Sequence, residues 1–165
     1  VALLRAEEEA KVRESFADLA RPVELFVALE AGSVAGEAGD ARPETPDVFG
    51  VPRPEETPRA GAGDIDFGVE MVRLCEALAE LGERVTCRVA EEPDGFPRFP
   101  AVSIRPDGRD AGVRYDGLPW GYELSSLVGA IVDAGREAST LRPESRTALA
   151  TLDRDLALEV FVTPT

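Results

Sequence analysis

Histidine is absent from this chain. That excludes a histidine-based catalytic triad, histidine-ligated zinc or haem, and a histidine pH switch. Lysine occurs once, at Lys11, and no GxxxxGK[ST] string is present, so there is no P-loop. The two cysteines, Cys75 and Cys87, are far from any C-x-x-C spacing. No apolar run approaches the ~20 residues that a membrane span needs. The N-terminal residues lack the charged-then-apolar layout of a signal peptide. A soluble, cytoplasmic protein without a membrane partner is therefore expected. Positive charge is also scarce: the formal net charge is −14. Phosphate binding rests on clustered Lys and Arg, so a nucleic-acid partner is not expected. Any protein partner would present basic groups to this surface, although the charge also serves solubility.

What is present suffices for a packed core. The chain has 165 residues, of which 44% are apolar, which fits one domain or one and a fraction. Its most informative stretch is Phe99 to Glu123, FPAVSIRPDGRDAGVRYDGLPWGYE. Ala101 to Arg105 alternates small or apolar with polar residues, as a half-buried strand does. Pro106, Asp107 and Gly108 form a turn, each for its own reason: a preset φ, a local side-chain bond, and a positive φ. Ala111 to Tyr115 returns as the partner strand. The corner GLPWG follows, and Tyr122 to Arg136 has helical spacing, with Leu124, Leu127, Val128, Ile131 and Val132 on one stripe.

Upstream, Ala2 to Ala20 reads as a helix with Val12, Phe16, Leu19 and Ala20 on one face. Glu7–Lys11 and Glu9–Arg13 form i,i+4 pairs on the other. Pro22 stops it. Val23 to Leu29 reads as a strand buried on at least one face. Residues 31–63 contain five prolines and few large apolar side chains, and read as a solvated insertion. Val48, Phe49 and Val51 could pin it to the surface, and a partner-binding loop is the rival reading. Asp64 and Asp66 stand where a carboxylate caps a helix. An Asp-x-Asp pair also occurs in calcium loops, but the rest of that pattern is missing, so no metal is expected. Phe67, Met71, Leu74, Cys75, Leu78 and Leu81 repeat at helical spacing, and Gly82 ends that helix. Val85, Cys87 and Val89 alternate as a strand. Both cysteines fall on apolar faces and serve as small buried hydrophobes. The rival reading, an enzyme using either thiol singly, lacks a helix N-terminus or adjacent cation to stabilise a thiolate. Pro143 opens a short helix through Leu152, and Leu156 to Val162 reads as a last strand.

A right-handed crossover through the 66–82 helix would make strands 23–29 and 85–90 parallel. The 101–105 and 111–115 hairpin adds an antiparallel edge. The fold class expected from this order is α/β: a thioredoxin-like mixed sheet with flanking helices and an insertion after the first strand.

With that order in hand, the chain resembles the N-terminal unit of tandem thioredoxin-fold proteins. These include the glutaredoxin-like protein disulfide oxidoreductases and the N-terminal domain of the alkyl hydroperoxide reductase flavoprotein. The matching strings are RPVELFVALE, FPAVSI, DGRDAGVRYDGLPWGYELSSLVGAIVD and LDRDLALEVFVTPT; GVRYDGLPWGYE is the most specific. The resemblance implies a first unit over residues 1–141, with its insertion at about 31–63. It implies that residues 142–165 begin a second unit that breaks off before a C-x-x-C. It also implies a cis Phe99–Pro100 bond beside the active-site helix, with Phe99 pairing an extended peptide and Trp120 and Tyr122 lining the neighbourhood. Packing of both aromatics in the corner of the fold is the alternative.

One departure decides the expected function. The resemblance places a C-x-x-C at the end of the first sheet strand, opening the next helix. That position reads Glu30-Ala31-Gly32-Ser33-Val34-Ala35-Gly36, without cysteine. Disulfide exchange needs a stabilised thiolate and a resolving thiol. The expected function is thus a redox-inactive module of a thiol–disulfide oxidoreductase system, with a structural and docking role, no cofactor, and no catalysis by this chain itself. The alternative is a peptide- or protein-binding module with no redox role, using the Phe99–Pro100 groove or the 31–63 insertion. The expected partner is another protein or a second thioredoxin-like unit, and strand 156–162 would also allow pairing in a homodimer.

Overall fold

A computed structural model of the chain describes residues 4–32 and 66–162. The expected insertion, with Ser33 to Gly36, Val48, Phe49, Val51 and Asp64, lies almost wholly outside the described residues. The elements are α1 (Ala6–Ala17), β1 (Val23–Leu29), α2 (Phe67–Glu80), β2 (Val85–Glu91), β3 (Ala101–Pro106), β4 (Val113–Asp116), α3 (Tyr122–Gly135) and α4 (Pro143–Ala150). These strands form one mixed sheet in the order β2-β1-β3-β4. β1 and β2 run parallel, joined through α2, with Val23 opposite Val85 and Leu29 opposite Glu91. β3 is antiparallel to β1 and to β4. This is the thioredoxin-like arrangement anticipated from the periodicity.

The period-two alternation of β1 sorts the core. Val23, Leu25, Val27 and Leu29 join Met71, Leu74 and Leu78 of α2, Ile104 of β3, and Leu127 and Ile131 of α3 in the main core. Each large aliphatic side chain buried there stabilises the fold by about 1.5–3 kcal/mol. The even positions Phe26 and Ala28 point to the other face, where they meet Phe96 and Ala101. No helix among the described residues covers that face. Arginine stems do so instead: the Arg105 guanidinium stands 3.6 Å from the centre of the Phe26 ring, and Arg114 4.5 Å from that of Phe96. β1 is therefore buried on both faces.

Several boundaries differ from the sequence reading. α1 is shorter than Ala2 to Ala20. The Arg5 amide donates to the Glu8 carboxylate at 2.8 Å and fixes the start. At the other end, the Ala20 and Arg21 amides donate to the Gly135 carbonyl, so the chain turns onto α3. Val12, Phe16 and Leu19 are buried as expected, but Ala20 is exposed. Neither Glu7–Lys11 nor Glu9–Arg13 closes into an ion pair; the pairs formed among the described residues lie elsewhere. β4 begins at Val113 rather than Ala111, because the Asp110 carboxylate accepts the Gly112 amide at 2.8 Å and holds a turn there. Phe67 is 56% exposed instead of joining the stripe of α2. Residues 156–162 form no strand. A strand exists only beside a hydrogen-bonded neighbour, and none of the described strands pairs with this segment.

Candidate functional site

Three chain segments meet at one end of the sheet. β1 ends at Leu29 and Glu30, α2 begins at Asp66, Phe67 and Gly68, and Phe99 and Pro100 lead into β3. Together they line an open depression of about 190 Å³. The Phe99–Pro100 bond is cis. The Pro100 carbonyl accepts the Gly117 amide at 2.8 Å, which ties this turn to the far end of β4. Among the turns and loops described, Phe99 itself makes no backbone–backbone hydrogen bond.

The helix end in this depression is already occupied. Asp66 Oδ1 accepts the amides of Gly68 at 2.9 Å and Val69 at 3.0 Å. A carboxylate at this position satisfies two otherwise unpaired donors and meets the positive end of the helix dipole. A thiolate nucleophile would use the same amides and the same dipole. The first turn of α2 reads Asp66-Phe67-Gly68-Val69, and the end of β1 reads Leu29-Glu30, so neither segment brings a thiol to the depression. The sequence reading placed the missing C-x-x-C position wholly at Glu30 to Gly36. In the fold, the end of β1 and the start of α2 are separate segments of the chain, with residues 33–65 between them outside the described set.

Of the predicted site residues, Phe99 and Pro100 line the depression. Trp120 does not: it stands in the corner before α3, 56% exposed, and Tyr122 beside it is 82% exposed. Neither ring packs into the fold. Leu29, Glu30 and Phe67 are lining residues that the sequence reading did not single out. The usable signal for Phe67 was its place directly after a capping Asp. A side chain at the first helical position lies over the helix end rather than along the sheet-facing stripe. Among the described residues, no group of three or more Cys, Asp or Glu side chains is arranged to hold a metal ion, and no helix is long and apolar enough to cross a membrane.

No known family model matches the chain. Among curated proteins, it is 32% identical over 74 residues to an NADH dehydrogenase of Bacillus subtilis, covering 45% of this chain and 14% of that protein. It is 32% identical over 83 residues to the F component of alkyl hydroperoxide reductase (AhpF) of Pseudomonas aeruginosa, covering 50% of this chain and 15% of that one. The chain thus spans a small part of the length of these relatives. Among solved structures, AhpF of Enterococcus faecalis superposes with a TM-score of 0.66 at 18% identity, covering 92% of this chain and 62% of that one. A protein disulfide oxidoreductase of Aeropyrum pernix gives a TM-score of 0.61 at 19% identity, covering 92% and 56%. In sequence and in fold, the chain is similar to the N-terminal unit of the tandem thioredoxin-fold proteins, and its fold is thioredoxin-like.

Proposed function

We propose that this chain is a non-catalytic thioredoxin-fold module of a thiol–disulfide oxidoreductase system, with a structural and docking role. The observation that carries this reading is the N-terminus of α2. Its amides are held by the Asp66 carboxylate, where exchange chemistry would need a thiolate. The AhpF relatives, and the neighbour named protein disulfide oxidoreductase, support the kind of system. On this reading the redox cysteines lie in a second unit or in another chain. Residues 142–165 begin such a second unit. Exposed Leu156, Leu158, Val160 and Phe161 support this, since apolar side chains in a row call for a cover.

The docked segment is an extended peptide whose backbone pairs with Phe99, the mode in which main-chain bonds supply affinity. The exposed ring of Phe67 supplies the apolar contact, and the Glu30 carboxylate favours a basic side chain. The test is an insulin-disulfide reduction assay on the isolated chain with a thiol reductant. No catalysis above the reductant alone is expected. Turnover that is abolished by Cys75→Ser or Cys87→Ser would overturn the reading.

A further inference from the structure

Among the described strands, β2 and β4 border the sheet, and the border at β2 matches a segment that the fold leaves uncovered. The outward backbone donors and acceptors of β2 form a template for a further strand. Its side chains alternate. Val85, Cys87 and Val89 pack toward the main core, whereas Thr86 and Arg88 are exposed. The Arg88 guanidinium stands 5.6 Å from the centre of the Phe26 ring, on the face without helices. It takes part in none of the ion pairs formed among the described residues. The segment in question is residues 156–162, Leu-Ala-Leu-Glu-Val-Phe-Val, which has the composition of a strand but no strand beside it. Its own sheet does not receive it, and Leu158, Val160 and Phe161 are exposed.

We infer that residues 156–162 of one copy add as a strand to the outer edge of β2 in a second copy, and that the exchange is reciprocal. β2 has 7 residues, and the segment has the same length. When the two stretches are centred on each other, Glu159 falls opposite Arg88, whether they run parallel or antiparallel. Residues directly opposite in a ladder share a face and interact. Glu159 thus gives Arg88 the carboxylate it lacks among the described residues. The same register puts Ala157 and Phe161 beside Thr86 and Ala90 on that face. It puts Leu156, Leu158, Val160 and Val162 on the other, where β2 meets the main core. A slip by one residue would turn Glu159 toward the apolar face and Leu158 and Val160 away from it, so burial specifies the register. Each copy gives and receives the same segment, so the contact is self-complementary and closes as a two-fold dimer. So short a strand makes the association reversible, and the dilute chain is monomeric.

The inference does not rest on the docking reading. That reading seeks a cover for this segment in a second unit; in the chain alone a second copy provides it, and no residue lining the depression takes part. The test is size-exclusion chromatography with light scattering on the full chain at rising concentration. The mass should rise from that of one chain to that of two. Glu159→Arg and Arg88→Glu should each keep the chain monomeric, because like charges would then face each other. The two substitutions together should restore the dimer. Leu158→Asp, which would press a charge against Cys87 or Val89, should also keep the chain monomeric. A wild-type chain that stays monomeric at every concentration, larger aggregates in place of a dimer, or a combined variant no better than either substitution alone would each overturn the inference. None of these results bears on the insulin assay, and turnover there would leave the dimer standing.

Discussion

Asp66 Oδ1 accepts the Gly68 amide at 2.9 Å at the start of α2, where that helix lines the depression. The bond makes one carboxylate both the cap of α2 and the occupant of the place where a nucleophile would be stabilised. Asp66→Ala should therefore destabilise the fold by about 1 kcal/mol, the usual worth of an N-cap side chain, and Asp66→Asn by less. Urea denaturation followed by circular dichroism measures this. Equal stability of wild type and Asp66→Ala would show that the cap contributes nothing.

The Gly82 backbone lies against Phe16. A Cβ built on Gly82 would stand 2.9 Å from the Phe16 Cβ. Gly82 stands directly after Leu81, the C-cap of α2, as expected of a helix-ending glycine, but without a positive φ, so what the position needs is room. Gly82→Ala should cost about 1–3 kcal/mol through overpacking between α1 and the end of α2. A thermal melt unchanged from wild type would refute this close packing.

Ser103 is a buried polar residue in the sheet, and its hydroxyl bonds to Asp110 at 3.3 Å. Partial burial pushes the Asp110 carboxyl up. The hydrogen bond from Arg114, the Gly112 amide, the Arg114 charge and the Ser103 hydroxyl outweigh it and hold the group below its ordinary range. A folded-state pKa below the unfolded one gives stability that is present above the unfolded pKa, near 3.9, and is lost as pH falls through the folded value. Solvent reaches the Asp110–Arg114 ion pair, whose side chains are about a third exposed, so the contribution is below about 1 kcal/mol. Asp110→Asn should lower stability near neutrality by that small amount and narrow its gap to wild type as pH falls below about 4. Urea midpoints across that range provide the check; a gap that widens toward acid would contradict the assignment.

The parts of this fold that were legible beforehand are those where one local rule acts without competition. The alternation in β1 and the stripe of α3 each announce a face, and the crossover through α2 then fixes β1 and β2 as parallel neighbours. The proline and glycine of the β3–β4 turn locate the hairpin. What was not legible depends on contacts remote in sequence. The turn that follows α1 is held by the Gly135 carbonyl, more than a hundred residues away. Phe99 and Pro100 could be named as site residues only through resemblance. Their neighbours Leu29, Glu30 and Phe67 required the chain to be brought back on itself.

The last prediction concerns the boundary at residue 141. No residue of α4 is buried. Leu149 and Leu152 are about half exposed, and Leu158, Val160 and Phe161 are exposed by 89%, 84% and 80%. A segment that buries nothing against the sheet adds nothing to its stability. If residues 1–141 form the complete first unit, deleting 142–165 should change the unfolding free energy by no more than about 0.5 kcal/mol, the range of surface substitutions. It should also raise solubility, because a row of exposed apolar side chains invites association. Urea denaturation of the shortened chain tests the first point, and light scattering at increasing concentration tests the second. A loss of several kcal/mol would mean that this segment folds back onto the first unit. It would then belong to that unit rather than open another, and the partner sought for its apolar side chains would be the sheet itself.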